Sequence, residues 1–555
     1  MPDSVLMAIE YGGYISVIKF IIFVAFLLLW LPLLNWAYQD AKALEASAAS
    51  WAGIIFGAAA AAIIIWMLVP IFIIGMLLYI IAVAATGLAY VKHRNARVLD
   101  FDRVLTADHI KSLFAHKDKK LEELQGFFFI TANNNEVPMP APKTPDFFGF
   151  RTAYEVLKDA AWRRANTIAF TPASQNYDVT YYIDGVALKQ PAISREQTEY
   201  LIRFLKHLAD LAVDEKRKPQ KGKFRTRKNK ENTDWEVTTA GSTAGEQLRL
   251  KQISKQTLLR LNEIGLMPDQ YEHLNKFRQL HQGLFIISGP ARSGITTTLY
   301  ALLKNHDAFI NSINSLEKRT AADLPNVTQN VFTPSDTGTM TFAKQLQTVV
   351  RMGPDIVGVG DCEDAETAQV ACAAAKDGKM VYVTLNADSV VQALGKWMKL
   401  VGSRSLVTET LLGVSNQRLL RKLCNECKQA YAPNKELFKK YNIAAEKVKA
   451  LYRVGKVIYD KRGKPTPCEN CQETGFVGRT GIFEMIIVND DLRQAIKQSK
   501  LLSEISSEFR RAKMLYLQEQ GLRKVINGTT AINEMLRVLA PPKKQPEKTP
   551  QEKTE

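Results

Sequence analysis

Apolar and polar residues are distributed along this chain in three different ways. The first is the uninterrupted run. Residues 20–39 carry no formal charge and include the wholly apolar stretch from Ile21 to Trp30. At about 1.5 Å per residue this run predicts a helix long enough to cross a hydrocarbon core of about 30 Å. A buried core helix is the alternative, but core helices rarely lack a polar face. A second uncharged run covers residues 46–91, too many for one crossing. It divides at Pro70 into spans of about 53–69 and 71–90. The stretch from Leu68 to Phe72 offers no polar turn, so one long kinked helix stays open. Three spans are favoured over two. Lys92, Arg94 and Arg97 follow the last span. Positive flanks stay on the cytoplasmic side, which predicts residues 92–555 to be cytoplasmic under either count.

The second pattern, over residues 92–262, is mixed. Residues 92–150 read as a connector, with a helix start at 105–110 and a Pro-rich linker at 137–142. Residues 151–262 alternate helix and strand signals, an α+β domain. They contain a strand at 178–183, the turn pair Asp184-Gly185 and a helix over about 194–213. The basic stretch Lys216 to Lys223 reads as a solvated loop, with a subunit contact or an acidic partner as alternatives.

The third pattern is the short, fully apolar strand. It recurs at 283–288, 355–360 and 380–385, separated by helical segments, which predicts an α/β unit with a parallel sheet. Residues 490–540 read as mostly helical. The Pro, Lys, Glu and Gln tail at 541–555 cannot bury enough apolar surface to order itself.

Composition changes this picture in two places. The 555 residues have a net charge of +17. Residues 1–91 contribute −2, so the remainder carries +19. Nucleic-acid binding is a possible use for that charge. The basic residues are spread out, however, and a basic domain beside anionic lipid needs no nucleic acid. Six cysteines exclude a disulfide-dense scaffold. Four of them form two hooks, Cys424-Asn425-Glu426-Cys427 and Cys468-Glu469-Asn470-Cys471. Four thiolates suit a closed tetrahedral Zn²⁺ site. The 40 residues between the hooks exceed the usual spacing of about 15–20, so reduced, unbound thiols are the alternative. Cys362 and Cys372 read as structural.

The strongest chemical signal follows the first short strand, at Gly289-Pro290-Ala291-Arg292-Ser293-Gly294-Ile295-Thr296-Thr297. A phosphate loop needs Gly-x-x-x-x-Gly-Lys-Ser/Thr. Its glycines let backbone N–H groups wrap phosphates, and the following helix start adds positive potential. Gly289, Ser293, Gly294, Thr296 and Thr297 fit that use. The lysine position holds Ile295, a branched apolar side chain where a cation would meet a polyanion. Arg292, three residues earlier, is the nearest substitute in sequence.

Around this loop the chain resembles the ATPases of type II secretion and type IV pilus assembly. The motifs run in that family's order over residues 151–540. They include Tyr182-Ile183-Asp184-Gly185, Glu215-Lys216-Arg217-Lys218-Pro219-Gln220-Lys221-Gly222 and Gly245-Glu246-Gln247-Leu248-Arg249. Thr341-Phe342-Ala343 with Arg351-Met352-Gly353-Pro354-Asp355 follow, then Gln417-Arg418-Leu419-Leu420-Arg421-Lys422-Leu423-Cys424 and Gly478-Arg479-Thr480-Gly481-Ile482-Phe483-Glu484.

The resemblance implies an α/β fold with a RecA-like P-loop NTPase core at 263–540. It implies a preceding α+β domain at 151–262 and a zinc-binding insertion at 424–471. The transmembrane helices of residues 1–91 stand ahead of these. It further implies ATP with Mg²⁺, structural zinc, a homo- or hetero-hexameric ring and an inner-membrane platform protein as partner. The family's acidic box, EDPxE, falls on Glu317-Lys318-Arg319-Thr320-Ala321, so only Glu317 survives. Its Walker B run, GEIRD, falls on Gly360-Asp361-Cys362-Glu363-Asp364. The catalytic Glu is shortened to Asp361, and an Arg becomes Glu363. The histidine of its STLHTN box falls on Asn386. With Ile295, these changes favour a hydrolysis-impaired subunit in the inner membrane that binds nucleotide or acts as a scaffold. A working ATPase motor is the alternative.

Overall fold

The computed structural model describes residues 17–43, 47–95, 104–105, 127–141, 144–228, 231–253, 258–334, 340–432, 448, 450–455, 458–459, 465–499 and 501–540. The tail at 541–555 and all but the first residue of the helix start expected at 105–110 lie outside them. The chain divides into two compact units. One comprises residues 1–157, 169–179 and 190–250, and the other residues 158–168, 180–189 and 251–555.

The first unit opens with α1 (Val17–Leu29), α2 (Leu31–Ala43), α3 (Ala48–Leu68) and α4 (Phe72–Asn95). Three stretches, Val17–Lys42, Ala48–Leu68 and Phe72–Asn95, are long and apolar enough to cross a membrane. The first breaks at Trp30 into α1 and α2. Pro32 follows in the first turn of α2, where its missing N–H costs no helical bond. The apolar link from Leu68 to Phe72 is a tight reversal, not a continuous helix. Trp66 closes it by donating its indole N–H to the Phe72 carbonyl at 3.1 Å. Gly75 makes room, since a Cβ there would lie 2.3 Å from the Trp66 ring. Asp40 on α2 and Arg94 on α4 form a buried ion pair at 2.8 Å, and Tyr90 donates to the same carboxylate oxygen at 2.8 Å.

An eight-stranded sheet follows, built from β1 (Phe127–Ile130), β2 (Glu136–Val137), β3 (Thr167–Pro172), β4 (Asn176–Ile183), β5 (Val186–Ser194), β6 (Gln220–Lys228), β7 (Glu231–Ser242) and β8 (Gly245–Ile253). Its order is β2-β1-β6-β7-β8-β3-β4-β5. Helices α5 (Pro145–Trp162) and α6 (Arg195–Leu208) accompany it. Ser194 caps α6 by accepting from the Gln197 N–H. Two stretches depart from the sequence reading. Residues 127–130, inside the expected connector, pair with β6. The basic stretch runs into β6, where Lys223 lies opposite Glu236 and Phe224 is buried. Phe129 explains the first departure: it is fully buried against Phe150 and Phe204.

The second unit holds a seven-stranded sheet. Its strands are β9 (Gly283–Ser288), β10 (Ile313–Glu317), β11 (Thr328–Val331), β12 (Ile356–Val359), β13 (Met380–Leu385), β14 (Leu411–Leu423) and β19 (Phe476–Ile487), in the order β11-β10-β12-β13-β9-β14-β19. All neighbours are parallel except β14 and β19. The crossovers contain α8 (Ile295–Leu303), α9 (Phe342–Arg351), α10 (Ala365–Lys376), α11 (Val390–Val401) and α12 (Arg404–Thr410), with α7 (Pro268–Lys276) ahead of β9. Every residue of β9, β12 and β13 is buried, as expected of a parallel sheet covered on both faces. The short strands β15 (Gln429–Tyr431), β16 (Leu451–Arg453), β17 (Ile458–Tyr459) and β18 (Pro465–Thr466) lie between β14 and β19 in sequence. Helices α13 (Asp490–Gln498), α14 (Leu502–Arg511), α15 (Leu517–Ile526) and α16 (Ile532–Leu539) end the described chain.

Candidate nucleotide and metal sites

The carboxyl ends of adjacent parallel strands are where open α/β sheets bind ligands. Here β9 delivers Gly289 to Ile295, β10 delivers Glu317 and Lys318, β12 delivers Gly360 to Glu363, and β13 delivers Asn386. The sequence-predicted residues therefore converge on one sheet edge.

The phosphate loop leaves β9 and enters α8 through Gly294, whose φ of +90° favours glycine. A Cβ on Gly289 would lie 2.3 Å from Ser293 Oγ. Ser293 Oγ is buried and has no hydrogen-bond partner among the described residues. Gln417 on β14 holds the loop from behind. Its amide donates to the Ser293 carbonyl at 3.0 Å and accepts from Thr298 Oγ1 at 2.8 Å. Thr296 and Thr297 sit half-buried in the first turn of α8. The first N–H groups of a helix have no intrahelical partner, so the backbone part of an anion cradle is present. The orphaned hydroxyl and the glycine seat fit a nucleotide phosphate; Ile295, standing where the lysine would be, does not. Ile295 is half-buried and packs on the cluster of Leu299, Ile287 and Tyr300, while Arg292 is exposed.

Glu317 is 3% exposed. Tyr300 donates to it at 2.8 Å and Ser315 at 3.1 Å. Burial nevertheless pushes its carboxyl above the usual range, with the Asp361 charge adding to the rise. Gly360 lets β12 pass close, since a Cβ there would meet Glu317 Cγ at 3.0 Å. Asp361 is exposed and left-handed, with φ +51°, and its N–H donates to Thr384 Oγ1 at 2.6 Å. Aspartate adopts this conformation more readily than most non-glycine residues, because its short polar side chain bonds locally. Lys318 and Glu363 form an ion pair. Asn386 is exposed, and its carbonyl accepts from Lys396 Nζ at 3.3 Å.

The tetrathiolate group is the second site. The four Sγ atoms of Cys424, Cys427, Cys468 and Cys471 lie within 4.8 Å of one another. Cys424 and Cys468 are 3.9 Å apart, and Cys427 and Cys471 3.6 Å. Tetrahedral zinc with bonds of about 2.3 Å requires S–S separations of about 3.8 Å. None of the four is in a disulfide. The set fits a structural metal. The hooks hang on the β14–β19 ribbon, where the Cys424 N–H donates to the Gly475 carbonyl at 3.0 Å.

Three supporting residues had no assigned role from sequence. Gln417 and Tyr300 act through contacts with residues 119 and 17 positions away. Arg164 donates to the Phe476 carbonyl at 2.8 Å, over 312 positions. Gln417 lay inside a recognised motif, which was its only signal.

A model of the type II/IV secretion system protein family matches residues 149–537. The chain belongs to this family. The type II secretion system ATPase E of Vibrio cholerae is 31% identical over 384 residues, covering 69% of this chain and 74% of that protein. The type IV pilus assembly ATPase PilB of Thermus thermophilus is 28% identical over 418 residues, 75% of this chain but only 46% of that protein. Among solved structures, the Legionella pneumophila ATPase DotB aligns with a TM-score of 0.50 at 15% identity, over 72% of this chain and 96% of that one. That likeness concerns the fold, which is the expected α/β P-loop ATPase type.

Proposed function

We propose that this chain is a membrane-anchored subunit of a type II secretion or type IV pilus assembly motor that binds nucleotide with little or no turnover. The observation that carries this reading is Ile295, whose side chain packs on the apolar core at the position where a phosphate loop needs a lysine. Stabilisation of charge dominates phosphoryl transfer, so losing that cation weakens rate and affinity together. Asp361 adds a shortened carboxylate, and Asn386 a side chain that cannot be protonated. The retained part, Gly289, Ser293, Gly294, Thr296 and Thr297, suits binding.

In this reading the chain joins a homo- or hetero-hexameric ring, together with an active paralogue in the mixed case. Its three apolar stretches tether that ring to the inner membrane beside the platform protein. Zinc on the four cysteines fixes the insertion at 424–471. The domain division at 91, 150, 262 and 540 belongs to the same proposal.

A specific observation favours the alternative of a working motor. Glu317 is held by two hydrogen bonds in a buried setting, as a carboxylate kept for use would be. The experiment is Mg²⁺-ATP binding and turnover by the full chain in micelles, beside Ile295→Lys. Binding without turnover supports the proposal. Turnover by the unsubstituted chain well above background overturns it and points to another cation, Arg292 first.

A further inference from the structure

A cavity of about 350 Å³ opens beside the cysteine hooks. The end of β14 supplies Lys422, the hooks supply Asn425, Lys428 and Asn470, and the turn after α15 supplies Asn527. Among the described residues, no carboxylate lines it. Glu426 and Glu469 belong to the same hooks, yet neither lines it. The cavity therefore selects the cationic and amide groups of a segment that also carries acids.

Two of its donors, Lys428 and Asn425, are held by a mutual hydrogen bond. Lys428 Nζ donates to Asn425 Oδ1 at 3.0 Å, which leaves the Asn425 NH₂ group as a donor. The same ammonium lies 5.1 Å from the Tyr452 ring. The Leu423 N–H bonds the Thr529 carbonyl at 2.9 Å and joins two of the walls. Gly528 turns there with φ +68°. Nearby, burial and then the charge of Lys422 hold the Lys524 ammonium below the usual lysine range. Two ammonium groups facing one cavity attract an anion into it.

We propose that this cavity binds a phosphate-bearing anion, with Lys422 and Lys428 as its cations and Asn425, Asn470 and Asn527 as its amide donors. Charge-assisted hydrogen bonds from ammonium groups to phosphate oxygens supply the affinity. The phosphate comes either free or on a lipid headgroup. The site is separate in sequence from the phosphate loop and does not rest on nucleotide turnover.

The test uses the zinc-loaded full chain in neutral detergent micelles and titration calorimetry. The probes are inorganic phosphate and short-chain dihexanoyl phosphatidylglycerol. Saturable binding of at least one probe is expected, and the probe that binds identifies the source. Affinity should fall at least about tenfold in Lys422→Gln/Lys428→Gln and in Asn527→Asp, and hold in Thr296→Ala. Zinc content of each variant is measured alongside. Asn527→Asp touches neither lysine nor hook, so it decides the matter if the lysine variant loses zinc. Three results overturn the proposal. They are no saturable binding of either probe, unchanged affinity in Asn527→Asp, and loss of binding in Thr296→Ala with retention in Asn527→Asp.

Discussion

Lys318 and Glu363 form an ion pair across the ends of β10 and β12, which are neighbouring parallel strands. The family pattern has an acid at the first position and an arginine at the second. Here the signs are exchanged and an ionic link joins the two positions. Two departures that look independent in sequence therefore meet in space. The side chains are 44% and 67% exposed, so the link is a weak one. A double-mutant cycle with Lys318→Glu and Glu363→Lys, read by urea unfolding, should give a coupling of at most about 1 kcal/mol. The double exchange should recover what either single change loses. If it loses the sum of both, the two residues act separately.

Ile295→Lys replaces a half-buried apolar contact with a cation. The lost packing should cost about 1 kcal/mol of stability. Mg²⁺-ATP binding, followed with a fluorescent analogue, should tighten by about tenfold, equivalent to about 1.4 kcal/mol, because the backbone cradle is already formed. Unchanged affinity would mean that the cradle itself is closed to nucleotide.

The sulfur spacing predicts about one zinc ion per chain by elemental analysis. Chelation, or Cys468→Ser, should free the hooks and loosen the β14–β19 ribbon where it meets them. Hydrogen exchange should rise at Phe476 and Gly478 while β9 stays protected. Equal exchange with and without chelator would leave the cysteines as unbound thiols.

Glu534 on α16 is almost fully buried, and it accepts hydrogen bonds from Arg421 and Arg537 at 2.7 to 2.8 Å. Burial alone would raise its pKa, yet the two guanidinium groups outweigh that and pull it down to about 2. A depressed carboxylate stabilises the fold above its unfolded pKa of about 4.5 and loses that contribution as pH falls towards 2. Glu534→Gln should therefore cost about 3 kcal/mol at pH 7 and less with each step below pH 4. Denaturation midpoints measured from pH 7 to pH 2 would test this. A penalty independent of pH would refute the electrostatic account.

In the apolar unit, Asp40 and Arg94 are each almost fully enclosed, at 5% and 3% side-chain exposure. Asp40→Ala removes the carboxylate to which both Arg94 and Tyr90 donate. It should cost about 3–5 kcal/mol, and the double replacement Asp40→Leu/Arg94→Leu less. Unfolding by sodium dodecyl sulfate in mixed micelles would rank the variants, and a costlier double replacement would contradict the pairing.

The apolar runs were legible because crossing a membrane demands length and absence of charge, both linear properties. The strands β9 and β13 were legible for a similar reason, since a parallel strand covered on both faces is apolar throughout. The phosphate loop, its missing lysine and the family motifs are likewise local strings. What stayed hidden depended on partners far along the chain. The reversal between α3 and α4 has no polar turn residues; Trp66 and Gly75 close it instead. Residues 127–130 looked like connector because their burial comes from Phe150, Phe204 and β6. Lys221 and Lys223 looked like a loop because β7 supplies the opposite edge. Sequence alone determined which residue types stand at the phosphate loop and at the hooks. Only the tertiary structure decided that Ile295 turns into the core, that Lys318 meets Glu363, and that four thiols spread over 48 positions come within 4.8 Å. Those outcomes are set by distances across a sheet, and pairing in a sheet is independent of spacing along the chain.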